Sequence, residues 1–195
     1  MPARFLAPVV LLLGLSACAS NSLESHPAYP EIQRQISSIV ANVRYQTGTE
    51  LVTSLKRLVA YDVFVVEQVA DMASDPNPRL RSNAMWVLAQ IRDGEHPGQM
   101  ERIDDLLREG LDDPDATVAY EAATGLASRG EWDVLPRLID GLNDADAGVR
   151  YRCHQQLVAT TSRDFGYSID GDPAVQQVAI AAWRDWYAAW SDSQG

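Results

Sequence analysis

From Glu31 onward, apolar residues return at intervals of three and four, and the breaks between them fall on Gly, Pro and Asp clusters rather than on hairpin turns. That rhythm predicts helices throughout and no sheet. The stretches Asp75-Pro76-Asn77-Pro78, Asp113-Pro114-Asp115-Ala116 and Asp144-Ala145-Asp146-Ala147 each introduce a similar helix, 38 and then 31 residues apart. Aligned on those starts, Leu80, Val118 and Val149 share one position. Ala84, Ala122 and Cys153 follow four residues later, and Leu88, Leu126 and Leu157 four after that. This spacing puts all three on one helix face, with a small residue in the middle where a neighbouring helix can approach closely. The helices in front keep register too: Val65, Val69 and Ala73 correspond to Ile103, Leu107 and Leu111, and then to Val134, Leu138 and Leu142. The unit is therefore a helix pair, and such pairs hide their apolar faces by stacking on one another. The longer first period is absorbed by the turn-rich stretch from Arg92 to Gly98.

An acidic, Pro-containing turn, an aliphatic residue, an Arg and then an Ala-rich helix resemble the HEAT-repeat family in its short bacterial form. Asp75-Pro76 with Arg79, Leu80, Arg81 and Ala84 is the fullest match; the middle unit has Ala119 where Arg is usual, and the third lacks the Pro. The resemblance runs from about Thr49 to Thr160 and specifies architecture rather than activity. The expected fold is all-α, a short α-solenoid of HEAT-like helix pairs over 31–162, followed over 163–195 by a loop and an aromatic C-terminal capping helix. In that last helix Pro173 suits the first position, and Val175, Val178, Ala179, Ala182, Trp183, Trp186 and Trp190 are read as one face covering the end of the stack.

The N-terminus has a different pattern. Arg4 and an apolar run from Phe5 to Leu15 have the layout of an export signal, and eleven helical residues reach only ~16 Å across a hydrocarbon layer of ~30 Å. Leu15-Ser16-Ala17-Cys18 resembles the lipobox of bacterial lipoproteins. The resemblance implies a signal peptide over 1–17, lipid on Cys18 and a lipid-anchored flexible tether over 18–30. Palmitate or similar chains on Cys18 hold such domains on a bilayer. Ala19, where lipoproteins kept on the inner membrane often carry Asp, favours the outer membrane if the source has one.

Charge narrows the partners. With 27 acidic against 16 basic residues and a net charge of -11, the chain opposes the cationic field that nucleic-acid phosphates require. Asp113, Asp115, Asp144 and Asp146 lack the full calcium-loop pattern and read as helix caps, and the three histidines are far apart in sequence, so neither a metal nor another cofactor is expected. Cys153 occupies the small buried position and points away from His154, its neighbour on the helix, which makes it a structural cysteine. Trp183, Trp186 and Trp190 are spaced for packing, with a carbohydrate or peptidoglycan platform as the alternative.

The remaining surface is that of the second helices, which line the inner curve in HEAT-like arrays. Just off their buried register stand Asn83, Trp86 and Gln90, then Glu121, Thr124 and Ser128, then Arg152 and Gln155, a mixed polar set proposed as the partner-binding residues. No acid, base and nucleophile cluster in the sequence, so the expectation is a non-catalytic scaffold or adaptor that binds a protein partner in the cell envelope, not an enzyme. The alternative is an enzyme subunit of the HEAT-like, bilin-lyase-related type; export and acidity argue against it at this level.

Overall fold

The computed structural model describes residues 23–92 and 95–194. The signal segment and Cys18 lie outside the described residues. Nine helices account for most of the described chain, and no strand occurs in it: α1 (Tyr29–Val43), α2 (Gly48–Ala60), α3 (Val66–Ala73), α4 (Pro78–Gln90), α5 (Pro97–Gly110), α6 (Ala116–Ala127), α7 (Leu135–Gly141), α8 (Ala147–Thr161) and α9 (Pro173–Asp192). None is long and apolar enough to cross a membrane. They form two layers. The second helices α2, α4, α6 and α8 pack side by side, α4 against α6 most extensively, while α1, α3, α5 and α7 form the other row and α9 joins it beside α7. This is the all-α solenoid the periodicity predicts.

The repeated turns explain why each second helix starts where it does. Asp75, Asp113 and Asp144 each accept the backbone N–H two residues on, all at 2.8 Å. The residue so held, Asn77, Asp115 or Asp146, then caps its helix by accepting from Arg79, Thr117 or Gly148. Two side chains thus satisfy free donors in sequence, which fixes the helix start and offsets its positive end.

The predicted register is the core. Leu80, Val118, Val149, Ala84, Ala122, Cys153, Leu88, Leu126 and Leu157 are all buried, and each large apolar side chain hidden this way is worth roughly 1.5–3 kcal/mol. The small middle position has a partner in the preceding helix. A Cβ added at Gly110 would lie 2.9 Å from the Cβ of Ala122, and one added at Gly141 would lie 2.4 Å from the sulfur of Cys153. Glycine allows these helices to come together.

Two details depart from the sequence reading. Of the span expected as a tether, Leu23–Ser25 form a 3-10 turn, Leu23 packs on the core, and the His26 ring meets Phe64 edge-on at 5.7 Å. In α9 the buried residues are Ala179, Ile180 and Trp183, whereas Val175 and Val178 are 55% and 71% exposed. The helix docks on α7 with Arg184 bonding Asp140 and Gln177 bonding Asn143, and its buried face runs through Ala179, Ile180 and Trp183, which leaves Val175 at the edge of that face and turns Val178 away from it.

Candidate partner-binding face

The second-helix layer carries the eight residues singled out from the sequence, and packing sorts them. Gln90, Ser128, Arg152 and Gln155 are exposed; Asn83, Trp86 and Thr124 are half-buried, with Trp86 resting on the core and the amide nitrogen of Asn83 shielded from water without a partner. Glu121 differs from the rest because it is only 7% exposed. Packing of α8 against α6 covers it, and Nε of Arg152 reaches across to its carboxylate at 2.8 Å. Burial pushes the Glu121 carboxyl above its ordinary range, with the Arg152 charge opposing that shift.

At the far edge Ser128 accepts from Arg92 at 2.8 Å and donates to the carbonyl of Gly125, while Arg129 bonds the carbonyls of Leu88 and Ile91. Arg129 therefore closes the end of α4, whose last carbonyls lack helical partners. It escaped the sequence reading because these acceptors lie about forty positions away. The same holds for Arg81, whose guanidinium clamps Asp113 of the next unit at 2.6 and 2.8 Å and also bonds the carbonyls of Asp75 and Pro76. Arg44 repeats the theme with Asp75 at 2.5 Å. The repeating Arg was the visible signal; its partner in the following turn was not.

Among nucleophiles, Cys153 is buried and free, its thiol pushed up to about 12 by burial, so it is a packing group at neutral pH. Its sulfur is directed at Gly141 while the His154 ring lies 5.2 Å from Tyr167, which confirms that the two adjacent residues face different ways. Among the described residues no three His, Cys, Asp or Glu side chains gather as a metal cage would need. The tryptophans of α9 spend ring faces on one another and on their neighbours: Trp190 is 4.8 Å from Trp132, Phe165 is 4.7 Å from Trp183, and Arg163 lies over Trp186 at 5.2 Å. This is a partly exposed aromatic cluster around the buried Trp183, at the end of the first-helix row.

Comparison with known proteins agrees with the architecture. A family model described as HEAT repeats matches residues 103–185, and one described as PBS lyase HEAT-like repeat matches residues 80–113. The chain thus carries HEAT-like repeats. It is similar to a solved structure, that of the complex of CpcE and CpcF of phycocyanin lyase from Nostoc sp. PCC7120, at 21% identity and a TM-score of 0.52 over 78% of this chain and 99% of that one. No curated protein matches. These findings correct the expectation that the protein is not an enzyme: the repeat type matched over residues 80–113 is named for a lyase, and the similar structure is that of a lyase complex.

Proposed function

We propose that this chain is a helical-repeat subunit of a lyase-type enzyme and holds a partner polypeptide along its second-helix layer. The observation that carries the reading is that the lyase-type repeat spans the α4–α5 segment, whose helix α4 presents Asn83, Trp86 and Gln90. Trp86 offers an anchoring ring, and Gln90, Gln155 and Arg152 offer a polar rim, the mix that protein interfaces use.

The test is photo-crosslinking from Trp86 and Gln155 in the native host, isolation of the complex, and measurement of bond-forming or bond-eliminating turnover. Turnover by the complex that neither component shows alone, lost when Gln90 and Gln155 are both replaced by Glu, is the expected result. A complex without turnover, or crosslinks confined to the α1, α3 and α5 row, refutes the proposal.

We further propose that lipid on Cys18 holds this subunit on the outward side of a membrane, the outer membrane where the source has two. The lipobox-like Leu15-Ser16-Ala17-Cys18 supports this. Leu23 is already packed on the domain, so five residues of ~3.5 Å would keep the fold within ~18 Å of the bilayer. Cys18→Ala is expected to release the protein from membranes or leave it unprocessed; normal cleavage with full membrane retention rejects the anchor.

A further inference from the structure

The first helix pair differs in charge from the rest of the chain. Between Tyr29 and Tyr61 the basic residues Arg34, Arg44, Lys56 and Arg57 outnumber the acidic Glu31 and Glu50, in a chain whose net charge is -11. Arg44 is spent on Asp75, while the exposed Arg57 has no acidic partner among the described residues. Arg57 lines a cleft of about 340 Å³ between α1 and α2, one turn along α2 from Ser54. Ser54 is only 7% exposed, yet its hydroxyl is neither sealed from solvent nor hydrogen-bonded to another described group, so it opens on the cleft it lines. A largely buried hydroxyl in that state gains from an acceptor that a ligand supplies.

Arg34 lines the same cleft from α1 and pairs there with Glu31, the one acid among the described lining residues. Both side chains are largely exposed, and an ion pair in that setting is weak. Gln35 also donates to Glu31 Oε1 at 2.8 Å, which ties the carboxylate back along α1. A guanidinium has five N–H donors, so Arg34 keeps most of its own after this contact. Two guanidinium groups and a hydroxyl therefore border one cleft from two helices. A carboxylate ligand offers two oxygens to such a set, whereas a phosphate offers more and matches the planar fork of arginine. We propose that this cleft binds a phosphate ester, with Arg34 and Arg57 on its charged oxygens and the Ser54 hydroxyl donating to one of them. That chemistry belongs both to a soluble phosphate ester and to a phospholipid headgroup. None of these residues belongs to the contact set on α4, α6 and α8, so occupancy here is separate from the partner face.

The experiment follows the Nε–H resonances of Arg34 and Arg57 and the backbone amide of Ser54 in the ¹⁵N-labelled full chain during titration with glycerol phosphate, with acetate at matched ionic strength as the control. Saturable shifts at all three positions with the phosphate ester, and none with acetate, are expected. Arg57→Gln, a change at an exposed position, should weaken binding about fivefold, and Glu31→Gln should tighten it by removing the competing carboxylate. Ser54→Ala should weaken it about threefold; because this variant changes no charge, its effect separates a built site from a diffuse cationic surface. Displacement of glycerol phosphate by phosphatidylglycerol vesicles assigns the site to a lipid headgroup, and shifts that persist in their presence assign it to a soluble ester. Equal binding of acetate, unaltered affinity in any of the three variants, or no saturable shift in a folded protein overturns the proposal.

Discussion

The junction between α4 and α6 and the junction between α6 and α8 are built on the same turn and tied differently. At the first, Arg81 locks onto Asp113 across the units, with side chains only 15% and 10% exposed. At the second, fully buried Ala119 stands where Arg81 stands, Asp144 accepts the N–H of Asp146, and the tie moves to the Arg152–Glu121 pair. Both junctions bury the same aliphatic and small positions. Stacking is therefore carried by the apolar register, and the ion pair is an addition that one junction places at the turn and the other along the helices. The two acids diverge accordingly. Hydrogen bonds from Arg81 and from the N–H of Asp115 hold Asp113 below the usual carboxylate range against the opposing effect of burial, whereas burial dominates at Glu121 and raises it.

The largest expected effect is at the first junction. Arg81→Ala removes the clamp and strands Asp113 along with the carbonyls of Asp75 and Pro76, and a loss of about 2–3 kcal/mol in chemical denaturation is expected. A loss under about 0.5 kcal/mol would mean that this junction needs its ion pair no more than the second one does.

Gly141→Ala probes the packing of α7 on α8 within the third helix pair, where the new Cβ meets the Cys153 sulfur, and is expected to cost about 1–3 kcal/mol. Adding Cys153→Ala should return part of that loss, since it removes the clashing atom; additive losses in the double-mutant cycle would show that the contact is not the cause.

The pH dependence separates the two acids. Asp113 has its lowered value only when folded, so its contribution is complete above the unfolded carboxylate value near ~4 and disappears as the pH falls through the folded one. The difference in thermal midpoint between the native chain and Asp113→Asn should therefore shrink in acid. Glu121 has the opposite sign. Its folded value is raised, so folding is favoured while it is protonated and that advantage is lost as the pH rises through the folded value. Glu121→Gln is expected to match the native chain in acid and to exceed it by up to about 1 kcal/mol at neutral pH, the smallest effect of the set. A Glu121→Gln protein that is less stable at neutral pH would show that Arg152 more than compensates burial.

How much was legible depended on how far apart the interacting groups are in sequence. The register from Leu80 to Leu157 and the caps at Asp113, Asp115, Asp144 and Asp146 involve neighbours within a few residues, and they were readable. The burial of Glu121 was not, because it depends on how closely α8 lies against α6, and the choice between a contact residue and an ion-paired wall turns on a few ångströms. Arg34, Ser54 and Arg57 are unremarkable polar residues until two separate helices bring them to one cleft. The exposed Val175 and Val178 were misplaced because an apolar stripe does not say how the helix is rotated against its neighbour, and the face that is buried centres on Ala179, Ile180 and Trp183.

By itself the sequence determined that paired helices must stack, where each unit begins, and which small residue stands at the centre of each second helix. Helical periodicity and capping are local, and one chain with these spacings has no other way to remove its apolar stripes from water. Only the tertiary structure decided which charged groups meet across the units, where α9 docks, and which polar groups are left without partners, because each of these rests on distances between residues far apart in sequence, and no local propensity encodes them.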